Sequence, residues 1–351
     1  MPGLGIPVEL GAEYIHGEAA ATYALLHRAH IPAVMANREQ RSLRSRRLVK
    51  INSFVEAQRS VRGAQLAEDV SFEEFLSRRR LPGKTKTFAR MMVEGFDAAD
   101  PERVSARSII EEWASLGAQP RPKGGYGALL DWLTGVVLRK GARLRLESPV
   151  YDLRWRKGSV EANGRGFQAR ARRAIITLPL PLIRLKEKRA ALRKLATGPV
   201  IRVALAFDEE FWRRRSKDAA FFHSPKAAFP TFWTPLPMRA PLLTCWAGGP
   251  KAARLTGKPS SHLIDAALGS VSSVFGRLPP LMGAYVQDWH ADRWSRGGYS
   301  YVLVGGEGAR EELARPIADT LFFAGEATDA EEAGTVAGAL RSGIRAAREA
   351  L

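Results

Sequence analysis

The sequence predicts an α/β chain of the α+β kind, two units interleaved along 351 residues. The spacing of its apolar residues is what predicts this. The C-terminal stretch Leu321–Leu351 passes from a short apolar run to a three- and four-residue repeat, as a strand followed by a helix does. Residues 33 to about 117 carry mostly helical spacing and are polar, whereas short alternating runs recur between 143 and 178 and at Val200–Phe207. A chain this long exceeds one domain of about 100–150 residues and has room for a sizeable core.

Near the start, Val8, Leu10 and Ala12 alternate with Glu9 and Gly11, which predicts a strand that GAEYIHG then turns. Ala20–His30 reads as a short helix. Phe72, Phe75 and Leu76, then Phe88, Met91, Met92 and Phe96, sit at helical spacing and predict core-facing stripes. Ser71, three residues before Glu74, predicts a capped helix start, and Asp100-Pro101 a turn. Gly124, Gly125 and Gly127 open a helix from about Ala128 to Arg139. Strands are expected at Arg143–Leu146 and Val150–Trp155, through Val160, Ala162 and Phe167–Ala169, and at Ala174–Leu178, where Pro179 stops the ladder. Val200–Phe207 alternates as a strand. LLTCWAGGPKAARL predicts a strand, a Gly-Gly turn and a helix, with Cys245 a small buried residue. In the last stretch Leu321–Phe323 is a buried strand, Gly325, Glu326 and Thr328 form an acidic turn, and Val336, Leu340, Ile344 and Ala347 mark the apolar face of a helix. A helix start has unpaired N–H groups and a partial positive charge, so this one suits an anion or a polarised carbonyl. Gly334 lets the backbone approach a bulky ligand, and Glu326 can accept hydrogen bonds from sugar-like hydroxyls.

The composition is that of a folded globular chain, with 45% hydrophobic and 26% charged residues. The net charge of +18 would attract nucleic acid or anionic surfaces non-specifically. The basic residues are scattered, however, in short groups such as Arg44–Arg47, Arg78–Arg80 and Arg213–Arg215, and no zinc-finger, helix-turn-helix or RNA-binding pattern accompanies them. They read as solvated faces, so no specific nucleic-acid partner is expected. The single cysteine, Cys245, excludes an intrachain disulfide and a multi-cysteine metal site and fits a cytoplasmic location. No apolar run of about 18 residues predicts a membrane span, and MPGLGIPVELGAEY lacks the order of a signal peptide. No Ser-His-Asp order, paired catalytic carboxylates or metal-ligand spacing is present.

FFAGEAT…GTVAGAL..G.RAA resembles the C-terminal flavin-binding motif of the FAD-dependent amine oxidases, and VELGAEYIHG is similar to an ELGAxWIHG segment of the same family. GGYGALL, EGFDAADPERVSARSI, GPVIRVALAFDEEFW and the Trp289…Gly298-Tyr299-Ser300 stretch extend the resemblance over nearly all of the chain. It implies non-covalent FAD, a small-molecule amine substrate and O₂, with hydride moving from the carbon next to nitrogen to the flavin. It implies that Glu326 holds the ribityl chain beside Gly325 and Gly334, that Thr335 and Val336 face the flavin ring through their N–H groups, that Gly11 and Ala12 pass beside it, and that Val150 meets the adenine. Trp289 is implied to pack on the flavin and Tyr299 to lie at its substrate side. The implied units are an FAD-binding, Rossmann-like domain (1–32, 118–180 and 281–351) and a substrate domain of mixed sheet and helices (33–117 and 181–280).

This sequence departs from the family pattern in three places. The upstream GxGxxG unit, which places the FAD pyrophosphate on a helix start, is not found; Gly3-Leu4-Gly5 is not that fingerprint, and roughly fifty to sixty implied residues are missing. The expectation is therefore an N-terminally incomplete cofactor domain, with the remainder supplied by an earlier start or by a partner. The alternatives are a remnant that binds no FAD, or a basic module for nucleic acid or anionic surfaces. Arg202 stands where many relatives carry a lysine; either it is a surface residue without a role, or oxidation proceeds without a proton-shuttling lysine. Glu332 stands where many carry a tyrosine of an aromatic cage, which argues against an aromatic monoamine.

Overall fold

The computed structural model describes residues 4–35, 39–44, 47–114 and 119–351. Gly3 of the Gly3-Leu4-Gly5 stretch, the middle of the Arg44–Arg47 group and the expected boundary at 117/118 lie outside the described residues. The largest element is a seven-stranded sheet in the order β7-β3-β6-β5-β4-β1-β2, formed by β1 (Gln40–Arg44), β2 (Arg47–Lys50), β3 (Val200–Phe207), β4 (Phe221–His223), β5 (Thr231–Trp233), β6 (Leu242–Gly248) and β7 (Leu281–Asp288). All neighbours are antiparallel except β1 and β4, which run parallel. β3 lies between β6 and β7 and is buried along its whole length, which is why VIRVALAF is apolar almost throughout. Because side chains alternate across a strand, Ile201, Val203, Leu205 and Phe207 share one face. They join Phe222, Phe232, Cys245 and the helix Ser260–Phe275 in a core. Arg202 points to the opposite face.

The β1–β2 pair falls in the stretch expected to be mostly helical. QRSLR has little strand character of its own; it forms a strand because β4 offers a ladder, Ser42 pairing with His223 across 181 positions. Conversely, the strands expected around Val8–Ala12 and at Arg143–Leu146 are not formed. Neither segment finds a ladder partner among the described residues, and Leu144 and Leu146 are exposed. β7 is the edge of the large sheet, although the two-unit division counts residues from 281 with the cofactor unit.

The helices Ser53–Val61, Phe72–Arg78, Gly83–Gly95 and Ala106–Ala114 share a second core, in which Phe72, Phe75, Leu76, Phe88, Met91 and Met92 surround Trp113 as their spacing predicts. Ser71 Oγ accepts the Glu74 N–H at 3.2 Å, closing the expected cap. Elsewhere, Val150–Arg156, Ser159–Gly164 and Phe167–Ala171 form an antiparallel meander, and Leu321–Phe323 pairs in parallel with Ala174–Ile176. Leu153, Trp155 and Val160 close over Leu321 and Phe323. No helix among the described residues is long and apolar enough to cross a membrane.

The C-terminal helix Val336–Glu349 forms as predicted but buries a different face. Ala337, Gly338, Ser342 and Ala346 are inside, while Ile344 and Ala347 are exposed. The helix lies against Phe322 and Ala324 and against the helix Ala20–Arg28. So close an approach requires small residues: a Cβ at Gly338 would overlap the Glu332 carbonyl, and Ser342 Oγ accepts the Gly325 N–H at 2.9 Å. Thr335 caps the start, its hydroxyl accepting the Gly338 N–H at 3.0 Å. Thr335→Ala is expected to lower stability by about 1 kcal/mol and Thr335→Ser to restore most of it. The check is a urea midpoint that falls with an unchanged slope.

Candidate functional site

The inner face of the sheet, the helical core and the C-terminal turn together line a cavity of ≈ 1100 Å³. Gly11, Ala12, Arg202, Trp289, Tyr299, Glu326, Gly334, Thr335 and Val336 all reach it; Val150 and Gly325 do not. Val150 starts the meander, pairs with Gly164 and is half exposed away from the cavity lining. Gly325 sits in the turn at φ 131°, a conformation that suits glycine.

The turn is built around the Glu326 carboxylate. One oxygen accepts the Ser300 N–H at 3.1 Å; the other accepts the Ser300 hydroxyl at 2.8 Å and the Gly334 N–H at 2.9 Å. Arg310 donates to Ser300 Oγ at 2.6 Å and stands 4.0 Å from the carboxylate, so the acid is held by a buried cation through a serine. Gly334 adopts φ 69°, which gives its N–H to Glu326 and leads directly into the helix start at Thr335 and Val336. Across the cavity, Trp289 donates its indole N–H to the Leu10 carbonyl at 2.8 Å. A Cβ at Gly11 would come to 3.4 Å from that indole, so the Val8–Ala12 segment is laid down on Trp289 instead of in a sheet. Tyr299 donates to the Phe96 carbonyl at 2.7 Å, and burial pushes its phenol up, leaving it neutral.

Arg202 is not a surface residue. Its side chain is 2% exposed, forms an ion pair with Glu13 and donates to the Gly11 carbonyl at 2.9 Å. Glu13 also pairs with Arg121 at 2.8 Å and accepts the Trp233 indole N–H at 3.0 Å. The Arg202 guanidinium lies 5.2 Å from the Trp233 ring centroid. A charge locked this way cannot pass protons to and from water, and it fixes the backbone at Gly11 instead. Reading the sequence missed Glu13 and Arg121. The available signal was Arg202 itself, since an arginine inside an apolar strand demands a carboxylate somewhere in the fold.

The rest of the lining is aromatic and acidic. Phe54, Phe221, Trp233, Trp246, Met91 and Met92 make an apolar wall; Glu18, Asp97, Glu112, Glu331 and Glu332 bring carboxylates. Glu332 accepts the Ala19 N–H at 2.7 Å and Glu331 pairs with Arg341. Asp97 is buried and accepts the Trp113 indole N–H at 3.1 Å. Burial and the nearby Glu112 carboxylate hold its pKa well above the ordinary range. Glu112 itself is pushed from an ordinary 4.5 up to about 7, chiefly by burial.

Acids with raised folded-state pKa values bind protons more tightly when folded. Their contribution to stability is present below the ordinary carboxyl range and is lost as pH rises through about 7. Asp97→Asn removes one of the two charges and keeps an acceptor for Trp113. The variant is expected to show a shallower fall in melting temperature between pH 4.5 and about 7. A slope equal to that of the unsubstituted chain would show that this pair does not set the pH dependence.

Comparison with known proteins gives a consistent result. The family model described as flavin containing amine oxidoreductase matches residues 24–351. Lysine-specific histone demethylase 2 of Homo sapiens is 28% identical over 246 residues, covering 64% of this chain and 29% of its own. Polyamine oxidase 2 of Arabidopsis thaliana is 27% identical over 279 residues, covering 73% of this chain and 54% of its own. The chain thus spans between 29% and 54% of the length of these two curated relatives. Wild-type putrescine oxidase bound to putrescine superposes with a TM-score of 0.80 at 17% identity, over 97% of this chain and 88% of that one. Cyclohexylamine oxidase from Brevibacterium oxydans IH-35A gives 0.78 at 17% identity, over 98% and 88%. At that identity the two structures establish a shared fold.

Proposed function

This chain belongs to the flavin-containing amine oxidoreductases, and from that premise we propose that its cavity holds FAD non-covalently against an amine that is oxidised at the carbon next to nitrogen, with O₂ as final electron acceptor. The observation that carries the reading is the Glu326 turn. A carboxylate has about four lone-pair sites. Three are taken by Ser300 and Gly334, which aim the acid and leave room for one ligand hydroxyl on the Ser300 N–H side. The residues present fit a flavin. The cavity is large enough, the helix start at Thr335 offers unpaired N–H groups, and Gly334 and Gly11 leave no Cβ between backbone and ligand.

When bound, the flavin supplies the two-electron acceptor; the chain's residues position it and prepare the amine. Trp289 and Tyr299 are the walls we assign to the reacting end. Arg202 keeps Gly11 and Ala12 in place as a fixed charge and takes no proton. An amine has to be neutral to give up hydride, and the wall of Phe54, Phe221, Trp246 and Met91 favours that form by excluding water. The carboxylates at Glu18, Glu331 and Glu332 favour entry of cations over anions. The relatives act by their names on a lysine, polyamines and putrescine. With Glu332 in place of an aromatic wall, an alkyl amine is the substrate class we propose.

We further propose the two-unit division stated above, with β7 joining the units. Among the described residues Ala174–Ile176 is paired on one side only, and Leu144, Leu146, Ile175 and Leu178 are exposed. These features support a covering segment, from a longer polypeptide or a partner, that also holds the FAD pyrophosphate at a helix start. The test is the absorption spectrum of the purified chain. A band near about 450 nm that bleaches on adding an alkyl amine without O₂ supports the reading. A chain that stays colourless after incubation with FAD and also binds no alkyl amine overturns it.

A further inference from the structure

The inner face of the sheet ends in a polar corner that the reading above leaves unused. One ladder row crosses four strands: Arg202 pairs with Trp246, Trp246 with Thr231, and Thr231 with His223. The adjacent row ends with Phe221 paired to Gln40. Arg202 and His223 are three strand spacings apart, roughly 14 Å, and His223 and Gln40 both line the cavity.

His223 is 3% exposed. Its Nδ1 lies 3.2 Å from the Thr231 hydroxyl, whereas its Nε2 is buried without a hydrogen-bond partner. Gln40 Oε1 is likewise buried and unpartnered. Polar atoms withdrawn from water are ordinarily paired. Two unpaired ones on neighbouring strands call for a group that donates to Gln40 Oε1 and that donates to or accepts from His223 Nε2 according to its tautomer. The corner is also uncharged: burial alone lowers the imidazole pKa to about 3, so the ring is neutral. An ammonium or carboxylate brought there would lose its hydration with no counter-charge to replace it. Phe54, in edge contact with the imidazole at 4.7 Å, and Phe221 supply apolar surface for an alkyl chain.

We propose that His223 and Gln40 form a distal subsite that binds an uncharged hydroxyl or carboxamide at the far end of the amine substrate. This rests on the cavity being the amine site. The substrate class becomes an alkyl amine with a neutral hydrogen-bonding tail, which separates it from diamines with a second ammonium.

The test is calorimetric titration of the full chain with three probes of matched length: an n-alkylamine, the corresponding amino alcohol and the corresponding diamine. The amino alcohol is expected to bind about tenfold more tightly than the alkylamine, as one well-made hydrogen bond gives. His223→Phe and Gln40→Leu should each remove that advantage, measured against alkylamine binding, and His223→Gln should keep part of it. Equal binding of amino alcohol and alkylamine would mean that water alone satisfies the corner, and would overturn the proposal. So would a diamine that binds best, or a His223→Phe variant that weakens all three probes alike. If none of the amines binds, the amine-site reading itself fails and the subsite with it.

Discussion

Glu13→Ala is expected to lower folding stability by about 3–5 kcal/mol, because it leaves two buried guanidinium groups without their carboxylate. Arg202 and Arg121 are 2% and 6% exposed, and Glu13 is their shared partner. Once it is removed, Arg202 retains the Gly11 carbonyl and the more distant Glu9 carboxyl, and Arg121 retains Pro235 and Tyr14, but neither retains a directly paired carboxylate. The Trp233 indole N–H loses its acceptor as well. The cost arises from stranded charge and not from the worth of the pair. Arg202→Met combined with Glu13→Gln should therefore recover part of the loss, and a double-mutant cycle by urea denaturation measures it. A Glu13→Ala variant that melts with the unsubstituted chain would show that water in the cavity solvates both arginines, and that the charge is not fixed.

Glu326→Gln is expected to weaken FAD binding by about ten- to a hundredfold, the range for losing hydrogen bonds to a charged acceptor. The amide keeps the size of the acid but replaces one acceptor oxygen with a donor, which would face either the Ser300 N–H or the Gly334 N–H, neither of which can accept. The turn would have to swing, and with it the helix start at Thr335. Readouts are the flavin-to-protein ratio after purification and the quenching of FAD fluorescence on titration with the chain. Undiminished flavin content in Glu326→Gln would remove the acid from the cofactor site, and a variant that loses both flavin and its cooperative melt would mark Glu326 as structural.

The sequence was most informative where a structural feature is encoded within a few neighbouring residues. The Leu321–Phe323 strand, the turn at Glu326 and the helix after Thr335 follow from local spacing and capping, and so do the Phe and Met stripes of the helical core. The resemblance placed Gly11, Trp289, Tyr299 and Glu326 near one ligand, and the fold brings their side chains or backbones to one cavity. Val150, implied by the resemblance to meet the adenine, is not part of that lining.

Three features required the whole fold. QRSLR becomes a strand only because His223 and its neighbours arrive from 181 positions away. The terminal helix turns its small residues inward because Phe322 and Ala324 stand too close for Ile344. Arg202 was readable as an arginine in an apolar strand, but its role depended on Glu13, brought from 189 positions earlier. Periodicity and caps are short-range properties that a chain carries wherever it goes. A charge's partner, a strand's neighbour and the face a helix hides are set by contacts between distant segments, and these exist only once the backbone has closed on itself.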